Sequence, residues 1–337
     1  MKIDPPAWLD ESHPNYLRWK RSRDLSIERG KFVQSVVNQK NNVYGLTVLD
    51  LGSGEGGTAK VFSENNFVVS LDLSLIRLKR QNLNVISKES ADKNSEFILR
   101  HLDPDLSGEK SEPNIVEDFS ACLSGRQVED SFEMTNKNFP HFIERINSNA
   151  LQLPFANNSF DLIIIQDVIE HLTDVNDFYT EVRRVLKSNG TIYLSTPNKF
   201  SILNFIADPH FGVPVVSVLS RQSIKKYFLK YFRKDDYNRD DIAQLLSLKE
   251  LIKLFQKDFE ISLNTKFSVK ELFNGNKGIV WSNFHLKLIS YCKLIKLDRA
   301  LIQIANDNIG VINNYFTPTF YIILKKIKPL ITRINTK

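Results

Sequence analysis

A glycine-rich segment directly after an apolar strand is the feature that most constrains the fold of this 337-residue chain. Residues 48–51 are apolar apart from Asp50, and glycines follow at positions 52, 54, 56 and 57. Glycine lacks a Cβ and reaches backbone angles closed to other residues, so we expect a tight turn that a ligand can approach closely. Residues 58–62 then begin a helix, whose free N–H groups favour a carboxylate or phosphate in the turn.

Two classes of nucleotide-binding enzyme use such a loop. Gly52, Gly54 and Gly57 fit the pattern G-x-G-x-x-G of dinucleotide-binding folds, and Asp72 ends the next predicted strand, where a ribose-binding acid is expected. The acid before the first glycine favours the other class. The pattern D-x-G-x-G-x-G, which starts at Asp50, resembles the nucleotide loop of class I S-adenosylmethionine-dependent methyltransferases. This resemblance implies that Asp50 helps to hold the methionine end of the cofactor.

The charge of the chain is unevenly distributed. The net charge is +6, but residues 264–337 hold twelve Lys/Arg against three acids, which leaves the preceding residues with a net charge of −3. A basic, apolar segment predicts an anionic partner such as phospholipid, a lipid-linked pyrophosphate or nucleic acid. A solvated surface that keeps the protein in solution explains the charge equally well. Among the partners, we expect peripheral contact with an anionic membrane surface rather than with nucleic acid.

The ends and the cysteines of the chain indicate its compartment. Residues 1–6 lack a basic stretch followed by an apolar one, and no apolar run reaches the length of a bilayer span. Cys122 and Cys292 are the only cysteines, and their wide separation excludes a disulfide framework or a cysteine zinc site. We therefore expect a cytoplasmic protein with free thiols, in peripheral contact with the inner face of the membrane if the basic segment binds lipid.

The order of the predicted elements indicates a doubly wound α/β fold. After the first strand, further strands are predicted at 67–71, 142–146, 160–165, 191–195, 259–263 and 320–324, and helices at 16–37, 58–65, 74–83, 174–186 and 248–255. The resemblance implies a Rossmann-like mixed sheet of seven strands, the last of which is antiparallel, with helical insertions.

Three regions are predicted along the chain: an N-terminal helical lid (1–40), a cofactor-binding core (41–263) and a basic, apolar C-terminal segment (264–337) that includes the last strand. The lid rests on the resemblance, and a solvated basic helix is the alternative. An acidic insertion at about 85–141 predicts either a substrate cap or a mobile loop. A second insertion at 266–316 contains a predicted helix over 284–305 with Lys293, Lys296 and Arg299 in one row. This helix is interpreted either as a core or dimer helix or as one that lies on a bilayer.

The motifs between Asn149 and Asn198 resemble the methyltransferase group that includes the ubiquinone-biosynthesis O-methyltransferases. They comprise N-A-x-x-L-P-F, F-D, E-H and T-P-N, in that order. The family has an acid where this chain has Asn149, whose amide oxygen still accepts a hydrogen bond, but without charge. The resemblance implies S-adenosylmethionine as the cofactor. The implied contacts are Asp50, Gly52, Ser53, Gly54 and Gly56 in the loop, Asp72 at the ribose with Leu73 beside it, Asn149 and Ala150 at the adenine, and Gln166 beside the sulfonium.

The acceptor chemistry is indicated by the segment that follows the fourth strand. It lacks the N-P-P-Y pattern that polarises an amino group in adenine-N6 and glutamine methyltransferases, which disfavours that chemistry. A hydroxyl acceptor would need a base. His171 and His210 titrate in the range that a base requires. For His171, a histidine bonded to the backbone at a helix start is the alternative. The pattern D-x-x-E-H also leaves open a magnesium site at Asp167, Glu170 and His171, but we assign no metal.

These observations predict an S-adenosylmethionine-dependent methyltransferase that acts, at oxygen, on a small-molecule, sugar or lipid-linked acceptor. Two alternatives stay open. One is an NAD-dependent oxidoreductase with a Rossmann loop, which Asp50 and the later motifs disfavour. The other is a non-catalytic cofactor-binding module that uses its insertions as a partner surface.

Overall fold

The computed structural model describes residues 16–75, 77–79, 81, 143–237, 241–279 and 283–327. Its strands are β1 (Thr47–Leu51), β2 (Phe67–Asp72), β3 (Ile143–Asn147), β4 (Phe160–Gln166), β5 (Leu186–Pro197), β6 (Phe259–Leu263) and β7 (Thr319–Lys326). Its α-helices are α1 (Tyr16–Asn38), α2 (Gly57–Phe62), α3 (Val175–Val185), α4 (Ile202–Ile206), α5 (Arg221–Ser223), α6 (Lys230–Phe232), α7 (Leu248–Phe255), α8 (Thr265–Phe273), α9 (Asn283–Leu294) and α10 (Leu297–Ile304). A π-helical stretch (Ile224–Leu229) joins α5 to α6. The predicted acidic insertion at 85–141 lies outside the described residues.

The strands form one seven-stranded mixed sheet in the order β3-β2-β1-β4-β5-β7-β6. Neighbouring strands from β3 to β5 are parallel, whereas β7 is antiparallel to both β5 and β6. The predicted fold class and its antiparallel last strand are therefore confirmed. The order reverses between β1 and β4, and the carboxyl ends of these strands form the edge at which open α/β sheets bind ligands.

The apolar runs of the central strands are buried because helices cover both faces of the sheet. On one face, alternate residues of β1, β2 and β4 pack against α3 and α7, whose buried residues include Phe178, Val182, Leu251 and Phe255. On the other face, Val48, Val68, Leu162 and Ile164 pack against α1 and α2. The two cores together fix the positions of the strand ends.

Helix α1 is an integral part of the second core. Its buried residues Phe32, Val33, Val36 and Val37 recur at helical spacing and contact α2 and the sheet. The two helices approach so closely that a Cβ on Gly57 would lie 2.2 Å from the backbone carbon of Ser26. The C-terminal half of α1 is thus structural, whatever the role of its first turns.

Two predicted boundaries are wrong. The single helix predicted over 284–305 is two helices, α9 and α10, because Lys296 adopts a left-handed conformation with φ 59°. Lys293, Lys296 and Arg299 therefore do not form one row. Strand β5 begins at Leu186, five residues before the predicted start, since its first residues extend past the bulge opposite Phe160.

Helices α8, α9 and α10 pack on each other through a small separate cluster formed by Phe273, Ile289 and Cys292, with Ile302 against it. Many of their other apolar side chains are exposed, and Leu294 is 78% exposed. Among the described helices, none has both the length and the apolar character needed to cross a bilayer.

Candidate functional site

The glycine loop is fixed between the carboxyl ends of β1 and β2. Gly52 has φ +73°, and a Cβ there would lie 2.3 Å from Val168 Cγ2, so only glycine fits. The N–H groups of Gly52 and Ser53 both donate to the Leu71 carbonyl, at 2.7 and 3.0 Å. At Gly54, by contrast, a Cβ would meet no atom closer than 4.0 Å, so the loop is open to a ligand there.

Asp50 lies beneath this loop as a buried carboxyl. Its side chain is 2% exposed, and Oδ2 has no hydrogen-bond partner among the described residues. Burial raises the pKa of Asp50 to about 7, and a hydrogen bond from the Ala59 backbone partly offsets this. A buried carboxylate needs a cationic or donor partner. The amino group of a bound amino-acid moiety is a partner of that chemistry, so the orphaned oxygen fits a methionine end at this position.

Asp72 closes the loop from the end of β2. Its two carboxylate oxygens accept hydrogen bonds from Gly54 N at 2.9 Å and from Ser74 N at 2.8 Å. Arg77 lies 4.0 Å away. The next residue, Leu73, is 75% exposed at the rim. Asp72 therefore shapes the loop in addition to the ribose contact that the motif predicts.

Gln81 is a loop contact that sequence reasoning missed. Its amide nitrogen donates to Ser53 Oγ and to the Gly54 carbonyl, both at 2.9 Å, and its amide oxygen accepts from Ser70 Oγ. A Cβ on Gly56 would meet this side chain at 2.7 Å. In the sequence, a glutamine in a predicted helix carries no pattern that distinguishes a buried loop contact from a surface residue.

The segment after β3 brings Asn149 and Ala150 beside the end of β2. Asn147 Nδ2 donates to the Asp72 carbonyl at 2.9 Å, which connects the two strand ends. Asn149 is exposed and its amide oxygen accepts from Leu151 N at 3.0 Å, while Ala150 is buried. The residues predicted for the adenine thus lie next to those predicted for the ribose.

The end of β4 faces α1. Gln166 Nε2 donates to Thr58 Oγ1 at 2.7 Å, and Asp167, in a left-handed conformation with φ 52°, accepts from Arg29 Nη2 at 2.6 Å. Tyr193 and Tyr321 line the same narrow cleft. Sequence reasoning missed Arg29, although it stands in the apolar stripe of α1, one turn before Phe32. A charge in such a stripe was the available signal.

His171 and His210, predicted on separate segments, are brought together. Their ring centroids are 5.1 Å apart, with the ring planes at 80°. His171 Nδ1 lies 2.8 Å from the Asp241 carbonyl. A carbonyl only accepts, so Nδ1 carries the proton and Nε2 is the acceptor in the neutral ring. The backbone contact and the role as a base are therefore compatible.

Glu170, beside His171, is 1% exposed. Thr196 Oγ1 donates to its Oε2 at 2.9 Å, while Oε1 has no hydrogen-bond partner among the described residues. Burial, followed by the negative charge of Asp167, raises the pKa of Glu170 to about 8. One ligand atom from each of Glu170, His171 and His210 lies within 4.8 Å of the others. Asp167, which we considered as a magnesium ligand, instead forms the ion pair with Arg29.

The His210 loop is built by Asp208. The Asp208 carboxylate accepts from the backbone N–H groups of His210 and Phe211, both at 2.9 Å, and Gly212 closes the turn with φ +70°. Loops of this type hold a side chain in place through local backbone contacts. His210 is therefore presented toward His171 by a defined turn.

Comparisons with known proteins find methyltransferases among the chains that resemble this one. A family model described as "Methyltransferase domain" matches residues 120–194. A probable S-adenosylmethionine-dependent methyltransferase of Mycobacterium tuberculosis is 30% identical over 89 residues, which are 25% of this chain and 32% of the relative. Demethylmenaquinone methyltransferase of Bacillus velezensis is 27% identical over 125 residues, or 34% of this chain and 48% of the relative. The chain thus spans about half or less of these relatives.

Solved structures also superpose on the chain. Phosphoethanolamine N-methyltransferase 2 of Haemonchus contortus, in complex with S-adenosyl-L-methionine, has a TM-score of 0.46 and 14% sequence identity. The match covers 96% of this chain and 59% of that one.

Proposed function

We propose that this chain is a class I S-adenosylmethionine-dependent methyltransferase, in line with the family model and the relatives that match part of it, and that it transfers a methyl group to a hydroxyl oxygen of a small-molecule, sugar or lipid-linked acceptor. The observation that carries the proposal is the convergence of Asp50, the glycine loop and Asp72 at the carboxyl ends of adjacent strands. S-adenosylmethionine, when bound, supplies a sulfonium methyl group for in-line displacement. The protein then has mainly to hold the acceptor oxygen behind that methyl group.

We propose the following cofactor-binding roles, which rest on the motifs and are supported by the positions of these residues described above. Asp50 Oδ2 accepts from the ammonium group, and Asp72, whose carboxylate already fixes the loop, accepts from the ribose hydroxyls. Leu73 covers the adenine, and Asn149 offers its amide at the other side. Gln166 lies beside the sulfonium, at the reactive end of the cofactor. The absence of a Cβ at Gly54 lets the ligand approach the backbone.

The acceptor proton is assigned to the histidine pair. Because His171 Nδ1–H donates to the Asp241 carbonyl, Nε2 is oriented as the proton acceptor. His210 lies beside it and either completes the base or orients the hydroxyl. A base with a pKa close to the working pH is the most effective in this role.

The surroundings of the site favour an apolar, lipid-linked acceptor. Exposed apolar side chains lie on α4 and on the neighbouring π-helix (Ile312–Phe316), beyond the carboxyl end of β5: Ile202, Leu203, Phe205, Ile206, Tyr315 and Phe316. Large exposed apolar patches on a protein surface mark ligand, membrane or partner sites. A hydrocarbon chain attached to the acceptor would cover this patch.

Ligand binding tests the cofactor assignment. We expect S-adenosylhomocysteine to bind with one site per chain in calorimetry and NAD not to bind. Binding of NAD without S-adenosylhomocysteine would show an oxidoreductase instead. Transfer of labelled methyl from S-adenosylmethionine to fractions of a cell extract then identifies the acceptor. Cofactor binding without transfer to any fraction would support the non-catalytic module.

Substitution of the histidines tests the base. Once an acceptor is identified, we expect His171→Ala and His210→Ala to lower turnover by about 10²–10⁴-fold, which is the usual contribution of general acid–base catalysis. Glu260→Gln, at an exposed position of β6, is the control and should retain turnover. Full turnover in both of the first two variants would rule out histidine base catalysis.

A further inference from the structure

The cluster of Glu170, His171 and His210 holds more donor atoms than deprotonation of a hydroxyl requires. One ligand atom of each residue lies within 4.8 Å of the other two, at the carboxyl edge of the sheet. Two of the residues follow β4, and the third comes from the loop after β5. We propose that this cluster binds one divalent transition-metal ion, for which Zn²⁺ is the best match.

The donor set selects the class of metal. Two imidazole nitrogens and one carboxylate oxygen are typical of zinc and related first-row ions, whereas magnesium prefers oxygen ligands. Asp167 is not part of this cluster, and Arg29 binds its carboxylate at 2.6 Å. The cluster therefore differs in composition and in preferred ion from the magnesium site that the sequence pattern leaves open.

The contacts around the cluster prepare its ligands. The Asp241 carbonyl accepts from His171 Nδ1–H and leaves the Nε2 lone pair for a cation. Metal-binding histidines commonly donate their second N–H to a carbonyl in this way, which fixes the tautomer and the ring. Thr196 orients the Glu170 carboxyl through Oε2. The Asp208 turn fixes the backbone of His210.

Glu170 supplies an independent observation that points to a ligand. Its side chain is 1% exposed, and Oε1 is buried without a hydrogen-bond partner among the described residues. Leaving such an atom unsatisfied is costly, and a bound cation would satisfy it. Arg221 cannot do so, because its guanidinium donates to the carbonyls of Glu170, Leu172 and Ile242. Through these bonds, Arg221 holds the backbone at residues 170–172 in place.

Three protein ligands leave at least one coordination position for water or for an oxygen of the acceptor. With the ion bound, His171 Nε2 would be a ligand and no longer the proton acceptor, and the metal would acidify the bound hydroxyl in its place. The metal site does not depend on methyl transfer, because the ion alone serves as the probe in the absence of cofactor and acceptor.

The experiment is calorimetric titration of Zn²⁺ into the full, tag-free chain after treatment with a chelator, with a competing chelator in the cell. We expect one ion per chain, and we expect His210→Ala and Glu170→Gln each to weaken Zn²⁺ binding by at least about tenfold, since even residues that only support ligands contribute that much. Glu260→Gln, which changes an exposed carboxylate on β6, is the control and should keep wild-type affinity. The Co²⁺-loaded chain should show the visible absorption of a site with nitrogen ligands.

Circular dichroism and thermal unfolding establish that each variant is folded. If Glu170→Gln does not fold, His210→Ala, whose side chain lies in a partly exposed loop, carries the test. No saturable Zn²⁺ binding by the wild-type chain would overturn the proposal. An affinity that is unchanged in His210→Ala would overturn it as well, even if methyl transfer is confirmed.

Discussion

Asp50 combines deep burial with an unpaired oxygen, so cofactor binding should depend on pH. Its pKa of about 7 means that the carboxyl changes from mostly protonated to mostly ionised between pH 6 and pH 8. Only the ionised form pairs with an ammonium group. We therefore expect the affinity for S-adenosylhomocysteine to fall as pH drops through 7, approaching about tenfold per pH unit below the pKa. Calorimetry at pH 6, 7 and 8 measures this dependence.

The same pKa shift acts in the opposite direction on the free energy of unfolding of the ligand-free chain. A carboxyl with a raised pKa contributes stability below its unfolded pKa of 3.8, and this contribution is lost as pH rises through about 7.

The variant Asp50→Asn tests the ammonium contact. It should remove the pH dependence of binding and lower the affinity for S-adenosylhomocysteine at pH 8 by about 10–100-fold, the value of a charged hydrogen bond. Asp174→Asn, at an exposed helix cap, is the control. An Asp50→Asn variant with wild-type affinity at pH 8 would contradict the ammonium assignment.

Gly52 and Gly54 differ in the space around them, which predicts different effects of alanine. Gly52→Ala combines a left-handed backbone with a Cβ 2.3 Å from Val168, so we expect a loss of about 2–4 kcal/mol in unfolding free energy. Gly54→Ala meets no close atom and should lose only about 1–2 kcal/mol, while the new methyl group occupies space needed by the cofactor. Urea unfolding measures the stabilities, and calorimetry measures the binding.

Val168 supplies the internal check. If the contact with Gly52→Ala is steric, Val168→Ala in the same chain should restore part of the lost stability, with a measurable coupling in a double-mutant cycle. Strictly additive effects of the two substitutions would show that the backbone conformation alone causes the loss.

Helix α1 is a core element that also contacts the end of β4. Residues 32–37 belong to the second core, so removal of residues 1–38 should unfold the chain and cannot test the lid. Arg29 offers a sharper substitution, because its ion pair with Asp167 is partly exposed and connects α1 to the end of β4. We expect Arg29→Gln to change the unfolding free energy by about 1 kcal/mol or less and to raise the dissociation rate of S-adenosylhomocysteine several-fold.

Lys31→Gln is the matched control for this prediction, since Lys31 forms an exposed ion pair with Glu28 on the same helix. Stopped-flow dissociation compares the two variants with the wild type. Equal dissociation rates for all three proteins would mean that the Arg29 contact does not close the site.

The elements that the sequence predicts best are those whose own residues decide their structure. The β1 turn and the buried run of β4 are found because glycine spacing and uninterrupted apolar residues leave few alternatives. The break at Lys296 was missed because a lysine gives no sign in the sequence that it will adopt φ 59°. Local pattern predicts the elements, whereas tertiary contacts decide where they end.

The candidate site likewise contains residues that local motifs predict and residues that only tertiary contacts bring together. Asp50 and Asp72 are predicted because each sits at a fixed distance from a glycine motif. The contact of His210 with Glu170 and His171 was not predicted, because it joins segments about forty residues apart through a loop whose path depends on Asp208. Arg29 reaches the end of β4 and Gln81 reaches the glycine loop, each through a helix orientation that no short pattern encodes.

At the scale of the whole molecule, the exposed apolar residues of α9 and α10 lie among basic ones. We propose that these helices bind an anionic membrane surface: Leu294, Leu297 and Ile304 are exposed, while Lys287, Lys293 and Lys296 supply charge. Flotation with vesicles that contain phosphatidylglycerol should recover the protein, and neutral vesicles should recover much less.

Leu294→Glu together with Ile304→Glu should abolish most of this flotation, because each adds negative charge and removes apolar contact. Tyr44→Glu, which changes an exposed residue before β1, is the control and should float like the wild type. Raising the salt concentration should weaken binding through screening. The absence of binding to either kind of vesicle would exclude a membrane contact.

The placement of β7 has a consequence for biosynthesis. Strand β7 is the last described strand of the chain, yet it lies between β5 and β6, and β6 has no other neighbour in the sheet. Until residues 319–326 leave the ribosome, β5 presents an unpaired edge and β6 has no partner. Exposed strand edges promote aggregation in incomplete chains. Nascent chains whose residues 319–326 are still in the ribosomal exit tunnel should therefore depend on chaperones, whereas released chains that contain β7 should not.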